Sequence, residues 1–206
     1  MSQDIPKMLT LYQPSPNTLF QALALDRCIV PVCIDLDFTL LKSSSLQFFF
    51  PQAFLGIPKF LWTQRWHWST FKVWVSKNYP LDPEQLPYRP FLVNFLKFCQ
   101  KMEVPLVLAT GAAYPTAEAI GTYLGCFNSI ISSTDGLHCV GKYKAKALVN
   151  LYGQGNFHYF GDSTKDLFIW KNARRAVAVN PSEALSRTIH KVCVGKPCMF
   201  LYDGPR

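Results

Sequence analysis

The chain has 206 residues, enough to bury the core of one domain and carry a small inserted module, but short for two domains in tandem. Its hydrophobic fraction of 49% and charged fraction of 17% exclude an intrinsically disordered chain. The formal net charge of +8 favours anionic partners, which leaves phosphate esters, acidic lipid headgroups and nucleic acid open.

Seven cysteines occur in the sequence, an odd number without a C-x-x-C pair. Because most of them stand among apolar residues, we expect reduced thiols that fill the core. The stretch from Met1 to Tyr12 does not resemble a secretory signal, and no window approaches the roughly 18 apolar residues of a spanning helix. We therefore expect a cytosol-like, reducing compartment, with peripheral attachment to a membrane left open.

Short apolar runs alternate along the chain with helix-like segments, a pattern that predicts an α/β fold with a central parallel sheet flanked by helices. Five runs predict strands, at 28–35, 104–109, 127–132, 157–160 and 176–179. Five segments predict helices, at about 91–102, 116–125, 144–152, 165–172 and 181–191. In a sheet of this kind, ligands bind beyond the carboxyl ends of the strands.

The stretch 44–88 breaks this alternation and is too long for a simple crossover. We interpret it as a small helical cap inserted after the first strand. The core domain would then comprise 1–43 and 89–206.

Three of the predicted strands end in polar residues that can carry chemistry. The first ends in Asp35 and Asp37, the second in Thr110, and the fourth in Asp162 followed by Asp166. Taken singly, each has an ordinary explanation, such as a solvated loop or a helix cap. Because the carboxyl ends of parallel strands meet at one edge of a sheet, their joint occurrence predicts one site.

The order and separation of these motifs resemble the haloacid dehalogenase superfamily. The matching residues, from its first motif to its fourth, are Asp35, Asp37 and Thr39, then Thr110, then Lys144, then Asp162 with Asp166. Phe38 departs from the family pattern, in which glycine is commonest at that position.

Three lysines in 142–146 are candidates for the third motif, and Lys144 is selected through a closer resemblance. That resemblance is to the haloacid dehalogenase domains joined to UbiA-type prenyltransferases. It rests on short stretches at 81–88, 108–110, 124–127, 134–136 and 179–182.

The resemblance implies a Rossmann-like core and a phosphatase that works through an aspartyl-phosphate intermediate. Asp35 would be the nucleophile and Asp37 the general acid and base. Dehalogenase relatives lack an acid at the second position, so a phosphatase is favoured over a dehalogenase. A mutase of the phosphoglucomutase kind uses the same acid pair, but it needs a polar cap that captures a sugar phosphate.

The resemblance also implies a Mg²⁺ cofactor. The ion would be held by the Asp35 carboxylate, the Asp37 backbone carbonyl and the Asp162 carboxylate, all of them hard oxygen ligands. Two further residues, Thr110 and Lys144, would bind the phosphoryl group. Asp166 would support Lys144 or the waters on the metal.

The predicted cap is basic and aromatic. No acid occurs between Asp37 and Asp82, whereas that interval holds four of the five tryptophans and five cations, Lys42, Lys59, Arg65, Lys72 and Lys77. The rings are interpreted in three ways: as the cap's own core, as a contact with an anionic membrane surface, or as a slot for an apolar leaving group.

The substrate follows from which of these interpretations holds. A slot for a ring favours phosphotyrosine in a protein or another aryl phosphate, which we prefer, and a longer groove favours a lipid or prenyl phosphate. A function of a different class is a non-catalytic module that binds lipid or nucleic acid. The presence of all four motif acids, Asp35, Asp37, Asp162 and Asp166, argues against such a module, and nucleic acid is not an expected partner.

Overall fold

The computed structural model of the chain describes residues 8–28, 30–49, 68–79, 81–134 and 137–204. These residues contain seven strands: β1 Met8–Tyr12, β2 Val32–Ile34, β3 Leu106–Ala113, β4 Ser129–Ser133, β5 His158–Gly161, β6 Arg175–Val179 and β7 Cys198–Tyr202. They form one sheet in the order β1-β7-β6-β5-β2-β3-β4. Every pairing in it is parallel.

Helices connect these strands within the described part of the chain. They are α1 Pro16–Ala22, α2 Trp68–Asn78, α3 Pro90–Lys101, α4 Tyr114–Leu124, α5 Lys142–Tyr152, α6 Leu167–Trp170 and α7 Glu183–Val192. Short 3₁₀ turns occur at Ser45–Phe49, Pro83–Gln85 and Thr164–Asp166.

Both faces of the sheet are buried beneath helices. One core cluster joins the sheet to α1, α3 and α4, and a second joins its other face to α5, α6 and α7. Phe95 on the first face and Trp170 on the second have no exposed surface. Burial on both sides explains why the central strands read as continuous apolar runs.

The predicted α/β fold with its parallel sheet is confirmed. The five predicted strands correspond to β2 through β6, and the five predicted helices to α3 through α7. The first strand is shorter than predicted, because its pairing with β3 and β5 covers only Val32 to Ile34. The predicted strand at 104–109 begins later and continues through Thr110 to Ala113, with a shift of register between Ala109 and Ala113.

Two strands near the ends of the chain, β1 and β7, were not predicted from the sequence patterns. The strands β1 and β7 pair over their full length, and β7 pairs with β6. Alternate β1 side chains are exposed, so this strand lacks the continuous apolar run that marks the central strands.

The predicted cap segment is described only in part, and its limits at 44–88 stay a prediction. Phe49, Phe71 and Val75 form a small core of their own beside the main domain. The cap aromatics Phe50, Phe54, Phe60, Trp62 and Trp66 lie outside the described residues.

No helix among the described residues is long and apolar enough to cross a lipid bilayer.

Candidate active site

A cavity of about 400 Å³ opens at the edge of the sheet where β5, β2 and β3 end. Asp35 follows β2 directly, and Asp162 follows β5 directly. The cavity lining includes five of the six predicted site residues: Asp35, Asp37, Lys144, Asp162 and Asp166. Side chains from distant parts of the sequence therefore meet in one place.

A tight turn over Leu36–Leu40 presents the first two acids. The Leu40 N–H donates to Asp35 O at 3.2 Å, and the Leu41 N–H donates to Leu36 O at 2.9 Å. Phe38 lies in the left-handed region with a φ of 58°. Because a bulky side chain is rare there, this turn carries strain of the kind that is common at functional sites.

Asp35 and Lys144 form an ion pair inside the protein. Lys144 Nζ lies 3.0 Å from Asp35 Oδ1, and the two side chains are 3% and 14% exposed. The Leu36 N–H also donates to Asp35 Oδ1, at 2.8 Å. Burial raises the pKa of Asp35 to about 6, with Lys144 opposing that shift and Asp166 and Asp37 adding to it.

The pKa of Lys144 is raised as well. Burial alone would lower it, but Asp35 and Asp166 favour the charged ammonium strongly enough to reverse the direction. Lys144 is therefore a fixed positive charge at the cavity wall.

Asp37 is held from the side of the inserted segment. Its Oδ1 accepts a hydrogen bond from the Ser45 N–H at 2.6 Å, and Ser45 begins the first 3₁₀ turn of that segment. Asp37 is half-buried and lines the cavity. The carboxylate thus faces the same space as Asp35 without sharing its ion pair.

Asp166 is a buried hub that connects the acids to the lysine. Its Oδ2 accepts from the N–H groups of Asp162 and Ser163 and from the Ser163 hydroxyl, each at 3.1 Å. Its Oδ1 accepts from the Tyr159 hydroxyl at 3.0 Å, and Lys144 Nζ donates to that hydroxyl at 2.9 Å. Asp166 therefore orients Lys144 through Tyr159.

The carboxylates of Asp35, Asp162 and Asp166 offer oxygens that all lie within 4.8 Å of one another. Burial raises the pKa of Asp162 to about 7, and the charges of Asp35 and Asp166 add to the shift. Neighbouring carboxylates repel one another when they are ionised, and a hard divalent cation bound between them offsets that repulsion. Since Asp166 already accepts on both oxygens, Asp35 and Asp162 fit Mg²⁺ better as ligands.

Thr110 stands apart from the cavity lining. Its side chain is fully buried, and its Oγ1 accepts from the Ala112 N–H at 3.0 Å. The next residue, Gly111, does line the cavity, and a Cβ there would lie 2.6 Å from Val140 Cγ2. The phosphate-binding role of Thr110 stays a prediction.

Lys72 and His138 line the cavity although the sequence patterns gave neither of them a role in catalysis. Lys72, on α2 of the inserted segment, donates to Gly111 O at 3.1 Å. Burial lowers its pKa, an effect that Asp37 opposes and Lys165 increases. Burial also lowers the pKa of His138, and the charges of Lys72 and Lys165 add to that effect. The one sequence signal for Lys72 was its place among the cap cations.

Arg89 fixes the turn that bears the two acids. It donates from Nε to Thr39 O at 2.8 Å and from Nη2 to Phe38 O at 3.1 Å, and it forms an ion pair with Asp203. A cation directly before a helix is unfavourable because of the helix dipole. The place of Arg89 before Pro90, where α3 begins, is therefore a sequence signal that its charge is used elsewhere.

No protein-family model matches the chain. Over 154 residues it is 31% identical to the uncharacterized protein y4nM of Sinorhizobium fredii (strain NBRC 101917 / NGR234), a match that covers 73% of this chain. The match spans 30% of that relative's length.

Solved structures share the fold at low sequence identity. A HAD-family hydrolase of Salmonella enterica serovar Typhi matches with a TM-score of 0.57 and 15% identity, over 78% of this chain and 65% of that one. A substrate-bound phosphoserine phosphatase matches with a TM-score of 0.58 and 11% identity, over 84% and 93%. A phosphoserine phosphatase with a phospho-aspartyl intermediate analogue gives 0.55 and 11%, over 83% and 92%. The chain therefore has the haloacid dehalogenase-like fold.

Proposed function

We propose that this protein is a Mg²⁺-dependent phosphomonoester hydrolase that forms an aspartyl-phosphate on Asp35. The observation that carries the proposal is the convergence of Asp35, Asp37, Lys144 and Asp162 on one cavity, at the strand ends of a haloacid dehalogenase-like sheet. The fold alone does not define an activity, so the assignment rests on these side chains.

In the first step, an Asp35 carboxylate oxygen attacks phosphorus, and the bond from phosphorus to the leaving oxygen breaks. Asp37 gives its proton to that oxygen, so that an alcohol or phenol departs rather than its anion. Lys144 offsets the charge on the phosphoryl oxygens, and its ion pair with Asp35 keeps both groups aligned.

In the second step, water attacks the phosphorus of the aspartyl-phosphate. Asp37, now ionised, takes a proton from that water, and the bond between phosphorus and Asp35 breaks to release phosphate. The hydrogen bond from the Ser45 N–H to Asp37 supports this role, because it holds the carboxylate between turn and cavity.

Mg²⁺ is the proposed cofactor, with the carboxylates of Asp35 and Asp162 and the Asp37 backbone carbonyl as ligands. When bound, it supplies positive charge that stabilises the phosphoryl oxygens during transfer. Asp166 supports the arrangement through its hydrogen bonds to the Asp162 N–H and the Tyr159 hydroxyl.

For the substrate, we propose phosphotyrosine in a protein or another aryl phosphate. The Phe38 ring, 45% exposed, lines the cavity beside apolar Leu46 and Val140, which supports an aromatic leaving group. A lipid or prenyl phosphate is the alternative, in line with the predicted likeness to UbiA-associated domains. Attachment of the basic cap 44–88 to an anionic membrane would accompany either substrate.

The test is phosphate release from p-nitrophenyl phosphate, phosphotyrosine and a short prenyl phosphate, each with Mg²⁺ and with EDTA. We expect release that requires Mg²⁺, prefers the aryl esters and is abolished in Asp35→Asn. Asp26→Asn, a change of the same kind at an exposed site, serves as the control and should retain full activity. Equal turnover of aryl and prenyl esters would remove the aryl assignment, and release that EDTA does not affect would remove the Mg²⁺ mechanism.

A further inference from the structure

A second cavity, of about 320 Å³, lies between α5 and the segment that contains α6. We call it the basic groove. Its floor is formed by Ala145, Val149 and Phe168, and its rim by Lys142, Lys146 and Lys171. The three lysines are exposed, and the Phe168 side chain remains 44% exposed. An apolar floor with a rim of cations is a surface suited to an anionic, partly apolar ligand.

The stretch of sequence that forms the basic groove contains few acids. Between Asp135 and Glu183 the sequence has only two, Asp162 and Asp166, and both belong to the candidate active site. The same interval has five exposed cations, Lys142, Lys146, Lys165, Lys171 and Arg174. A positive potential that neighbouring carboxylates do not cancel attracts polyanions and steers their association.

The basic groove adjoins the candidate active site at the start of α5, where Val140 lines the catalytic cavity and Lys142 lines the groove. Lys142 and Lys144 stand in the first turn of the same helix, one lining the basic groove and the other the catalytic cavity. Lys165 lines the catalytic cavity, and its carbonyl and the Phe168 ring both lie within 4 Å of the place where a Cβ of residue 141 would stand. An extended ligand that crosses the chain at 140–142 can therefore reach both cavities.

The floor and the ring favour a polypeptide as this ligand. Lys142 Nζ lies 5.3 Å from the centre of the Phe168 ring, over its face. A single strand of nucleic acid binds by stacking bases on open ring faces, and Lys142 already occupies one face of this ring. Ala145 and Val149 instead offer contact to an aliphatic or aromatic side chain between acidic residues, as docked peptides use alternating anchors.

We propose that the basic groove binds an acidic stretch of a phosphorylated polypeptide substrate while its phosphorylated side chain occupies the catalytic cavity. The placement of the phosphorylated side chain in the catalytic cavity rests on the proposed phosphatase function. The binding of an acidic peptide to the groove can be measured without catalysis.

The experiment uses two short phosphotyrosine peptides that differ only in glutamate or glutamine residues around the phosphorylated position. The groove variant is Lys146→Gln with Lys171→Gln. Its matched control is Lys101→Gln with Lys191→Gln, two exposed lysines outside the groove and the predicted cap, so that both proteins have the same net charge. Activity on p-nitrophenyl phosphate, which is too small to reach the groove, reports the integrity of the catalytic site.

Each exposed cation at a docking surface contributes about two- to fivefold in affinity, so we expect the groove variant to lose about tenfold in kcat/KM on the glutamate peptide. Its activity on the glutamine peptide and on p-nitrophenyl phosphate should not change. The control variant should behave as the wild type. High salt should reduce the difference between the two peptides.

A second readout is the fluorescence anisotropy of a labelled, unphosphorylated glutamate peptide, with a single-stranded oligonucleotide as the competing probe. If p-nitrophenyl phosphate is not hydrolysed, the proposed function fails, yet weaker peptide binding in the groove variant would still support an acidic ligand. Equal loss in the two double variants, or no preference of the wild type for glutamate, would overturn the inference. Tighter, groove-dependent binding of the oligonucleotide would replace the peptide by nucleic acid.

Discussion

Gly161 is the residue that allows Asp166 to approach the end of β5. A Cβ at this position would lie 2.6 Å from Asp166 Oδ2 and 2.7 Å from its Cγ, closer than non-bonded atoms approach. Asp166 is buried and joined to Lys144 through Tyr159, so it cannot move away without breaking those hydrogen bonds. The glycine is therefore required by packing rather than by its backbone angles.

We predict that Gly161→Ala displaces Asp166 and misaligns Lys144. Overpacking at a buried site costs about 1–3 kcal/mol of unfolding free energy, and the misplaced lysine should lower kcat more than tenfold, as in other cases of lost alignment. Chemical denaturation and phosphate release measure the two effects. Gly204→Ala is the control, since nothing lies within 4 Å of its Cβ position. Unchanged activity in Gly161→Ala would contradict the role given to Asp166.

Helix α2, in the predicted cap 44–88, brings a cation to the cavity of the candidate active site. Lys72 Nζ lies 3.1 Å from Gly111 O at the cavity wall, whereas the predicted phosphate ligand Thr110 is buried behind it. At this position, the Lys72 ammonium can offset the negative charge of a phosphoryl group bound in the cavity.

We predict that Lys72→Gln lowers kcat/KM for p-nitrophenyl phosphate by about ten- to hundredfold, because one positive charge facing the phosphoryl group is lost. Lys72→Arg should recover part of the activity. Lys77→Gln, at an exposed position on the same helix, should have no effect. If Lys72→Gln and Lys77→Gln have the same kinetics, α2 does not contribute to the site.

The end of β7 stabilises the catalytic turn through Arg89. The guanidinium is nearly buried, binds the carbonyls of Phe38 and Thr39, and pairs with Asp203 just beyond β7. Burial lowers the pKa of Arg89, and the charge of Asp162 opposes that shift. One side chain thus links the last strand to the first motif.

We predict that Arg89→Met costs about 2–4 kcal/mol of unfolding free energy, since its removal leaves the Phe38 and Thr39 carbonyls without their donor and breaks the ion pair with Asp203. Activity should fall with it, because the turn carries Asp35 and Asp37. Arg187→Met breaks a pair whose side chains are 68% and 73% exposed, so it should cost about 1 kcal/mol or less. Equal costs for the two variants, measured by urea denaturation, would exclude the anchoring role.

The elements differ in how far they could be predicted. Strands β2, β3, β5 and β6 were predictable because burial on both faces makes them largely apolar runs. The edge strand β4 has only a short apolar run at Ile130 and Ile131. Asp35 and Asp162 were predictable because they directly follow the apolar runs of β2 and β5. Strand β1 exposes alternate side chains and therefore lacks an apolar run. Strand β7 is a buried apolar run, yet it was not predicted, because its pairing partner β1 comes from the opposite end of the chain. Lys72, Tyr159 and Arg89 act through contacts across the fold, which periodicity does not reveal.

A histidine is buried in the middle of the sheet, where it can make stability depend on pH. His158 in β5 has no exposed surface, and neither ring nitrogen has a hydrogen-bond partner among the described residues. Burial lowers its pKa to about 3, and the charges of Arg175 and Arg174 add to the shift. The folded protein therefore holds this imidazole neutral.

A free histidine titrates near 6.5, so below that pH the unfolded chain binds a proton that the folded protein does not. The stabilisation is complete above the unfolded pKa and is lost as the pH falls toward the folded one. We predict that this group removes about 3 kcal/mol of unfolding free energy between pH 7 and pH 4, and that His158→Leu removes this part of the pH dependence. His190→Leu, at an exposed site, is the control and should keep the wild-type change of unfolding free energy with pH. The same pH dependence in His158→Leu as in the wild type would contradict the prediction.

Trapping of a phosphoryl group on the protein distinguishes covalent catalysis by Asp35 from direct attack of water on the substrate. The wild type, Asp35→Asn and Asp37→Asn are mixed with ³²P-labelled aryl phosphate and Mg²⁺, quenched in acid and analysed for label on each peptide. We predict transient label on the peptide that contains Asp35 in the wild type and no label in Asp35→Asn. In Asp37→Asn we predict label that forms slowly and then persists, because this variant lacks both the acid for the leaving group and the base for the attacking water. Phosphate release without label at any time, or label that persists in Asp35→Asn, would contradict the account.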